Sequence, residues 1–258
     1  PSSSGLAGVL EIYDAGGNLV AGGAPGASPI SYSIPPGGDS NYSARVTGAG
    51  IYGVHAASGN SALAFDGSAD FVLVTNAPSL DFSNQFSLEA WVYPRNFAGR
   101  DRPVISKVGG TGGNNGYQMG FGQDGKLFLL FNATGESWPG NSVSTPPLDI
   151  LNRWTHIAAT YDNDTMRLYV NGQLAASNTI GAKSVVKSLS NLRIANDDNA
   201  NVFFDGLVDD VRVWNTARSG AAILSGMSQS FTGTEAGLAG YWRFNEGSGD
   251  VAFDQSPN

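Results

Sequence analysis

Apolar and polar residues alternate over short stretches through most of the chain, with turn residues between the stretches. The clearest stretch is 86–93, in which Phe86, Leu88, Ala90 and Val92 share one face. A period of two residues predicts a β-strand that buries one of its faces. Further strand-like runs, rich in β-branched and aromatic residues, are 9–13, 30–34, 62–65, 70–74, 154–161, 166–170, 192–195 and 203–214.

The residues between these runs predict tight antiparallel connections. The segment 162–165 separates two strand-like runs, and Asn171-Gly172 fits a type I′ hairpin turn. Helical spacing is found at 217–227, where Ile223, Leu224 and Met227 would form the apolar stripe. Many short strands joined by turns predict an all-β protein built as an antiparallel β-sandwich.

Residues 1–57 form a separate block, rich in Gly, Ser, Pro and Ala, with a single Arg. The few strands predicted there enclose too little apolar surface for an independent core, and the chain has no Cys to cross-link them. We therefore divide the chain into a smaller, partial N-terminal β-sandwich segment at 1–57 and a main domain at 58–258.

Charge and composition exclude several function classes. The chain has 14 Lys and Arg against 22 Asp and Glu, a net charge of −8, which argues against nucleic acid or an anionic membrane as partner. The absence of Cys excludes disulfides, thiolate zinc sites and Cys nucleophiles. The longest apolar run, 127–131, is far too short to insert into a bilayer.

Several phrases of the main domain follow one another in a regular order. They are LAFDG at 63–67, DFV at 70–72, FSLEAWV at 86–92, RWTHIAATY at 153–161, RLYVNG at 167–172 and FDGLVDDVRVWN at 204–215. In this order they resemble the laminin-G-like, concanavalin A-like jelly roll of bacterial secreted proteins, close in pattern to pentraxins. The resemblance covers about 61–228 and implies a jelly-roll β-sandwich.

The N-terminal block carries a second, shorter resemblance. The phrases LEIYD at 10–14, GNLV at 17–20, ISYSIP at 30–35 and YSARV at 42–46 are similar to the C-terminal half of bacterial pre-peptidase C-terminal domains. A generic β-meander is the alternative. Because the first half of such a domain is missing, we expect the chain to be a piece of a longer protein. The segment 237–249 resembles either the closing strand of the jelly roll or the opening strand of a following copy.

Catalytic constellations are missing from the sequence. Glycosidases of the concanavalin A-like fold usually place carboxylates two residues apart on one strand, but two positions beyond Glu89 stands Trp91. A Gly-x-Ser-x-Gly nucleophile elbow is also missing, so we interpret His156 as a structural residue hydrogen-bonded to a strand neighbour. The sequence predicts that the protein is not an enzyme.

Calcium is the cofactor that the resemblance implies, at two constellations. The first is Asp66 with Asp209, two carboxylates at strand phrases that such modules often tie together by an ion. Calcium prefers six to eight oxygen ligands from carboxylates, amides and carbonyls. The alternative is that both residues only cap turns, as Asp-Gly and Asp-Asp pairs often do.

The second calcium constellation follows from the likeness to pentraxins. It consists of Asn114 and Asn115 in one loop, and Asp197 and Asp198 in the segment that begins at Asn196. Pentraxins carry acidic residues where this chain has some of these amides, and a lower ligand charge implies weak, extracellular-type affinity. The alternative is a pair of solvated loops.

A candidate ligand-binding rim surrounds Trp138, which the pattern assigns to a loop. An exposed indole offers a flat apolar face to a sugar ring, and Asn132 and Glu136 stand nearby for its hydroxyl groups. Tyr117 would border the same rim. The alternative is a loop Trp folded back onto its own domain.

Together these features predict a non-catalytic recognition module of a larger bacterial protein, located outside the cell or at its surface. Its expected partner is a glycan or another extracellular polymer, bound with the help of calcium. Two alternatives are a structural repeat or spacer that contacts neighbouring copies of the same protein in a filament, matrix or adhesin, and an accessory domain of a secreted hydrolase.

Overall fold

A computed structural model of the chain describes residues 9–13, 19–22, 43–47, 62–109, 115–136, 140–198, 202–246 and 250–257. Contacts between Cα atoms divide the chain into two units, Pro1–Gly59 and Asn60–Asn258. In the first unit, strands β1 (Val9–Tyr13), β2 (Leu19–Gly22) and β3 (Ser43–Thr47) form an antiparallel sheet in the order β2-β1-β3. The strand predicted at 30–34 lies outside the described residues.

The second unit contains two antiparallel sheets. The six-stranded sheet has the order β10-β9-β8-β7-β14-β5. Its strands are β5 (Val72–Val74), β7 (Arg102–Gly109), β8 (Asn115–Phe121), β9 (Leu127–Phe131), β10 (Asn141–Ser144) and β14 (Leu192–Ile194).

The seven-stranded sheet has the order β13-β12-β11-β6-β15-β16, and β4 pairs with β15 beside this path. Its strands are β4 (Leu63–Asp66), β6 (Gln85–Pro94), β11 (Thr155–Asp162), β12 (Thr165–Val170), β13 (Gln173–Thr179), β15 (Asp205–Trp214) and β16 (Leu238–Trp242). Because β16 pairs with β15, the segment after Gly237 supplies a closing strand of this domain.

The core lies between the two sheets, as the alternation of the strands requires. Phe86 and Tyr161 of the seven-stranded sheet contact Phe131 of the six-stranded sheet, with ring centroids 6.2 and 4.7 Å from that of Phe131. Phe86, Leu88, Ala90 and Val92 are all fully buried in this core, as their shared face predicts. The all-β, antiparallel jelly-roll sandwich predicted from the sequence is therefore confirmed.

Two local predictions have different outcomes. Asn171 and Gly172 have φ values of 48° and 74°, both in the left-handed region that a type I′ turn requires, so this turn is confirmed. The helix is shorter than 217–227 and spans α1 (Gly220–Gly226). Ser219, whose backbone is extended, caps its N-terminus by accepting a hydrogen bond from the Ala222 amide, so the residues before Ser219 precede the helix. Among the described residues no helix is long and apolar enough to span a membrane.

Candidate functional site

One row of side chains crosses the outer face of the six-stranded sheet from edge to edge. The strand registers pair Arg193 with Leu73 and Ser106, Gln118 with Ser106 and Leu130, and Leu130 with Ser142. The residues on either side of this row, such as Ile105, Met119 and Leu129, belong to the core. Since neighbouring side chains of a strand point to opposite faces, the row lies on the outer side of the sheet.

The segment between β14 and β15 is held tightly at its base beside this row. The Phe204 amide donates to the Ala195 carbonyl at 2.8 Å, and Asn196 forms an isolated β-bridge with Phe203. The Asn196 side-chain amide also donates to the Val202 carbonyl at 2.7 Å. Asn196 is buried, and these bonds hold the two ends of the segment together. They thereby fix the position of the backbone just before Asp197 and Asp198.

Asp197 and Asp198 are bound to members of the outer-face row. Gln118 Nε2 donates to Asp197 Oδ2 at 2.7 Å, and Arg193 Nη2 donates to Asp198 Oδ1 at 2.7 Å. Arg193 Nη1 donates to Asn196 Oδ1 at 3.0 Å. The guanidinium also lies over the Phe71 ring, 4.5 Å from its centroid, which is a cation–π contact. We call Arg193, Gln118, Asp197 and Asp198 the outer-face cluster.

A second polar group adjoins this cluster where β9 ends. Asn132 continues the β9 ladder, since its amide donates to the Gly116 carbonyl, and alternation puts it on the same outer face as Leu130. Its Nδ2 donates to Asn115 Oδ1 at 3.5 Å, while its Oδ1 is buried and has no hydrogen-bond partner in the described part of the chain. An unsatisfied buried carbonyl oxygen can accept a hydrogen bond from a ligand hydroxyl group.

Glu136 lies next to Asn132 and is held by two donors. Lys183 Nζ and Asn141 Nδ2 each donate to one of its carboxylate oxygens at 2.6 Å. The hydrogen bond from Lys183 lowers the pKa of Glu136, so the carboxylate is ionised at neutral pH. The structure thus brings Asn115, Asn132 and Glu136 together. Trp138 and Asn114 lie outside the described residues, so their proposed roles stay predictions.

Tyr117 does not border a loop rim, contrary to the sequence-based expectation. It is 2% exposed, packs on Phe82 and Phe86, and donates its hydroxyl to the Leu80 carbonyl at 3.1 Å. The reason is its register on β8. Tyr117 faces the core, and its neighbour Gln118 faces outward, where it contacts Asp197.

The pairing of Asp66 with Asp209 as calcium ligands is also wrong. The β4–β15 register sets Asp66 opposite Asp205, which leaves Asp209 four residues further along β15, roughly 13 Å away. Asp209 is buried and pairs with Trp91 on β6. Asp66 caps its own turn: hydrogen bonds from the Ser68 hydroxyl, the Ser68 amide and the Ala69 amide lower its pKa to about 2.

The second calcium constellation is brought together in part. Asp198 lies beside the end of β7, where its Oδ2 would be 3.4 Å from a Cβ atom added to Gly109, and Gly109 pairs with Asn115. The described residues contain no group of three or more His, Asp or Glu side chains that could hold a metal ion. A cation here would therefore need backbone carbonyl and amide oxygens besides the two carboxylates.

Glu89 is a member of a buried charge network and not of a catalytic pair. It is fully buried on the outer side of the seven-stranded sheet, with Oε1 2.6 Å from Arg218 Nη1 and Oε2 4.0 Å from Arg212 Nη1. Burial alone would raise the pKa of Glu89, but His156 and the two guanidinium groups outweigh it and lower that pKa. A carboxylate in this setting has no access to a substrate.

His156 is also buried, and its contact with a neighbouring strand agrees with the structural role predicted for it. Its Nε2 lies 3.5 Å from Oε2 of Glu89, on the adjacent strand β6. Its ring packs edge-on against Trp91 at 5.4 Å. Burial lowers the pKa of His156 more than Glu89 raises it, which keeps the imidazole neutral at pH 7.

Gln118 and Arg193 are the two site residues that the sequence analysis missed. Each stands between apolar neighbours in a short strand, which is the position of an outward-facing side chain. That signal was present for both residues. Asp197 lies 79 residues after Gln118, whereas Asp198 lies only five residues after Arg193. Sequence spacing alone therefore does not reveal the cluster.

Comparisons with known proteins agree with the architecture. The Bacteroides ovatus structure described as a carbohydrate-binding protein is 21% identical, with a TM-score of 0.57 over 74% of this chain and 54% of that one. The chain thus spans about half the length of that protein. The CBM40 of the Ruminococcus gnavus IT-sialidase, solved with α2,3-sialyllactose, is 14% identical, with a TM-score of 0.52 over 64% of this chain and 95% of that one.

At these identities the two structures support the fold alone. No curated protein matches the sequence. A family model, Laminin_G_3, matches residues 66–224, more than half of the chain. The resemblance to laminin-G-like and concanavalin A-like domains is thereby confirmed, and the chain belongs to the concanavalin A-like lectin/glucanases superfamily.

Proposed function

We propose that the second unit is a non-catalytic glycan-binding module that acts outside the cell or at its surface. The observation that supports this most directly is the outer-face cluster, in which a buried amide and the partly exposed guanidinium and carboxylate groups are held in fixed positions. Similar structures described as carbohydrate-binding agree with this proposal. The burial of Glu89 within its charge network favours binding over catalysis.

The chemistry of the face suits a sugar. Sugar rings combine hydroxyl groups with apolar C–H surfaces, and such ligands need a few fixed polar groups beside apolar ones. The cluster supplies a donor from Arg193 and acceptors from Asp197 and Asp198, and the buried Gln118 orients Asp197. Leu73, which is 51% exposed, and the partly buried Leu130 supply apolar surface in the same row.

A glycan array followed by calorimetry on the best ligand tests this function. We expect Gln118→Ala to weaken binding about tenfold or more, because Asp197 loses the buried donor that orients it toward the ligand. The matched control is Gln173→Ala, an exposed Gln on β13 of the other sheet, which should leave affinity unchanged. A blank array, or equal losses in both variants, would count against the proposal.

Calcium dependence is a finer part of the proposal. The ion would lie where Asp198 approaches the end of β7, near Asn115 at the start of β8, with Asp197 and Asn114 as further proposed ligands. An ion that binds the native state alone raises the unfolding midpoint, so EDTA should lower Tm and excess Ca²⁺ should restore it. Asp197→Ala should abolish this response and Asp66→Ala should not. An unchanged Tm with EDTA would remove calcium from the proposal.

A further inference from the structure

A cleft opens at the end of the sandwich where β4, β6 and β14 finish. Its volume is about 380 Å³, which lies in the range of small-molecule sites. The lining residues are Gly67, Ser68, Ala98, Gly99, Arg100, Arg102, Val202 and Phe203. None of the sequence-based site predictions falls in this cleft.

The cleft is contiguous with the outer-face cluster through one segment. Val202 and Phe203 line the cleft, while Asp197 and Asp198, at the other end of the same segment, contact the sheet face. The Phe203 ring lies 6.4 Å from the Phe71 ring, over which Arg193 is stacked. A ligand longer than one sugar can therefore extend from the face into the cleft.

Arg102 carries an uncompensated positive charge into this cleft. Its Nη1 donates to the Phe203 carbonyl at 2.8 Å and its Nη2 to the Ala98 carbonyl at 2.9 Å. Its Nε is buried without an acceptor, and no carboxylate pairs with the guanidinium in the part of the chain that the structure describes. Two carbonyls fix the orientation of the group but do not neutralise it, and each Nη atom keeps a second N–H.

Arg100 adds a second guanidinium to the same cleft. It is exposed and forms no ion pair with any described carboxylate. Five of the other described arginines contact a carboxylate, namely Arg153, Arg167, Arg193, Arg212 and Arg218, whereas Arg95 and Arg243 form no ion pair with a described carboxylate and lie outside the cleft. In a chain with a net charge of −8, two unpaired guanidinium groups on one cleft are a distinctive feature.

The acidic residues nearby do not line the cleft. Asp66 is engaged by Ser68 and Ala69, and Asp205 packs behind Gly67, where an added Cβ would lie 2.8 Å from the Cβ of Asp205. Asp101 lies near Gly122, and neither residue lines the cleft. These carboxylates oppose an anion at long range, so an anion would gain chiefly from direct, short contacts with the two guanidinium groups.

We propose that the Arg100–Arg102 cleft binds the anionic substituent, carboxylate or sulfate, of an acidic glycan. Guanidinium groups match the geometry of both oxyanions and bind them through two parallel N–H···O bonds. Above Gly99 no atom lies within 4 Å of an added Cβ, so a substituent can reach the cleft from solvent. This assignment rests on the proposed glycan binding and names the class of glycan.

The first test uses inorganic sulfate on the full chain, followed by amide NMR shifts. We expect saturable shifts at 98–102, absent in Arg100→Ala and retained in Arg95→Ala, because Arg95 is exposed on the same loop but does not line the cleft. Arg102→Lys keeps the positive charge but loses the paired N–H donors of the guanidinium group. It should weaken sulfate binding while leaving the fold intact. Equal shifts in the Arg95 and Arg100 variants would overturn the assignment.

The second test compares an oligogalacturonate, a sulfated galactan oligosaccharide and a neutral galactan of equal length. At least one acidic probe should bind about tenfold more tightly than the neutral one, and Arg100→Ala should remove that advantage without changing neutral binding. The two acidic probes distinguish carboxylate from sulfate. Equal affinity for all three would overturn the acidic-glycan assignment. No binding of any glycan, with the sulfate shifts intact, would reject the proposed function instead.

Discussion

The outer faces of the two sheets carry similar charged groups in opposite settings. On the seven-stranded sheet, Glu89, Arg212 and Arg218 are sealed beneath the segment that includes α1, with Arg212 donating to the Gly226 and Gln229 carbonyls. On the six-stranded sheet, part of the outer-face cluster meets solvent: the Arg193 and Asp198 side chains are 20% and 37% exposed, while Gln118 is buried. The charged groups of the two faces differ in exposure because a segment covers one face, and not because the residue types differ.

This difference determines what each group of charges can do. Under the covering segment, two carboxylates (Glu89 and Asp210) balance two guanidinium groups, and Trp91 and Ser87 tie the cover down through bonds to Met227 and Thr216. A fully enclosed and balanced network stabilises the fold and has no surface for a ligand. The open face keeps polar groups in place at low desolvation cost, as recognition requires.

The largest expected effect is the loss of the enclosed carboxylate. Glu89→Ala leaves Arg212 and Arg218 buried without their shared partner, which should lower the free energy of unfolding by about 3–5 kcal/mol. Urea denaturation measures this. Asp149→Ala is the matched control, because Asp149 is 89% exposed in its pair with Arg153 and should change stability by less than about 0.5 kcal/mol. Similar values for the two variants would contradict an enclosed network.

A smaller effect follows from the pH dependence of the same network. The pKa of His156 is lowered in the fold, so between that pKa and 6.5 the unfolded chain binds a proton that the native state does not. Stability should therefore fall as pH drops below 6.5, by at most about 1.4 kcal/mol per pH unit for this one proton. Glu89, whose pKa is also lowered, keeps its contribution above pH 4.5 and loses it only as pH falls further.

The variant His156→Gln isolates this dependence. Urea midpoints between pH 7 and pH 5 should fall less steeply in this variant than in the parent protein. His55→Gln is the control, since His55 is the other His of the chain. The same slope in the parent and in His156→Gln would show that the network does not disfavour protonation of His156.

Much of this architecture is predictable because the strands obey simple alternation. The alternation of residues 86–92 predicts which of their side chains face the core. Asn171-Gly172 has the positive φ values that a type I′ turn requires. The predicted helix start at 217 was too early, because Ser219 adopts the extended conformation of an N-cap and accepts a bond from the Ala222 amide. The local sequence pattern predicts which strands and helices form, but it predicts less well the residues at which they begin and end.

The site was less predictable, because strand register decides which side chains meet. Tyr117 and Gln118 are adjacent, and only the register of β8 shows which of them faces the core. Asp209 lies within the predicted run at 203–214, but only the register between β4 and β15 shows that Asp205, and not Asp209, stands opposite Asp66. Asp197 and Asp198 were predicted as calcium ligands, and that role stays a prediction, while the sequence analysis assigned no role to their hydrogen-bond partners Gln118 and Arg193.

The smallest expected effect on stability is on the open face, where it separates folding from binding. Asp198→Ala removes one half-exposed carboxylate from Arg193 and should cost only about 0.2–1 kcal/mol in urea denaturation. Arg193 keeps Asn196 and Phe71 as partners, so the segment at 195–204 should retain its position. The same variant should nevertheless weaken glycan binding, because it removes the Asp198 carboxylate as an acceptor for the ligand. It also removes one of the groups that hold the Arg193 guanidinium in place. A stability loss as large as that of Glu89→Ala, or unchanged affinity, would mean that the open face is structural, as the enclosed one is.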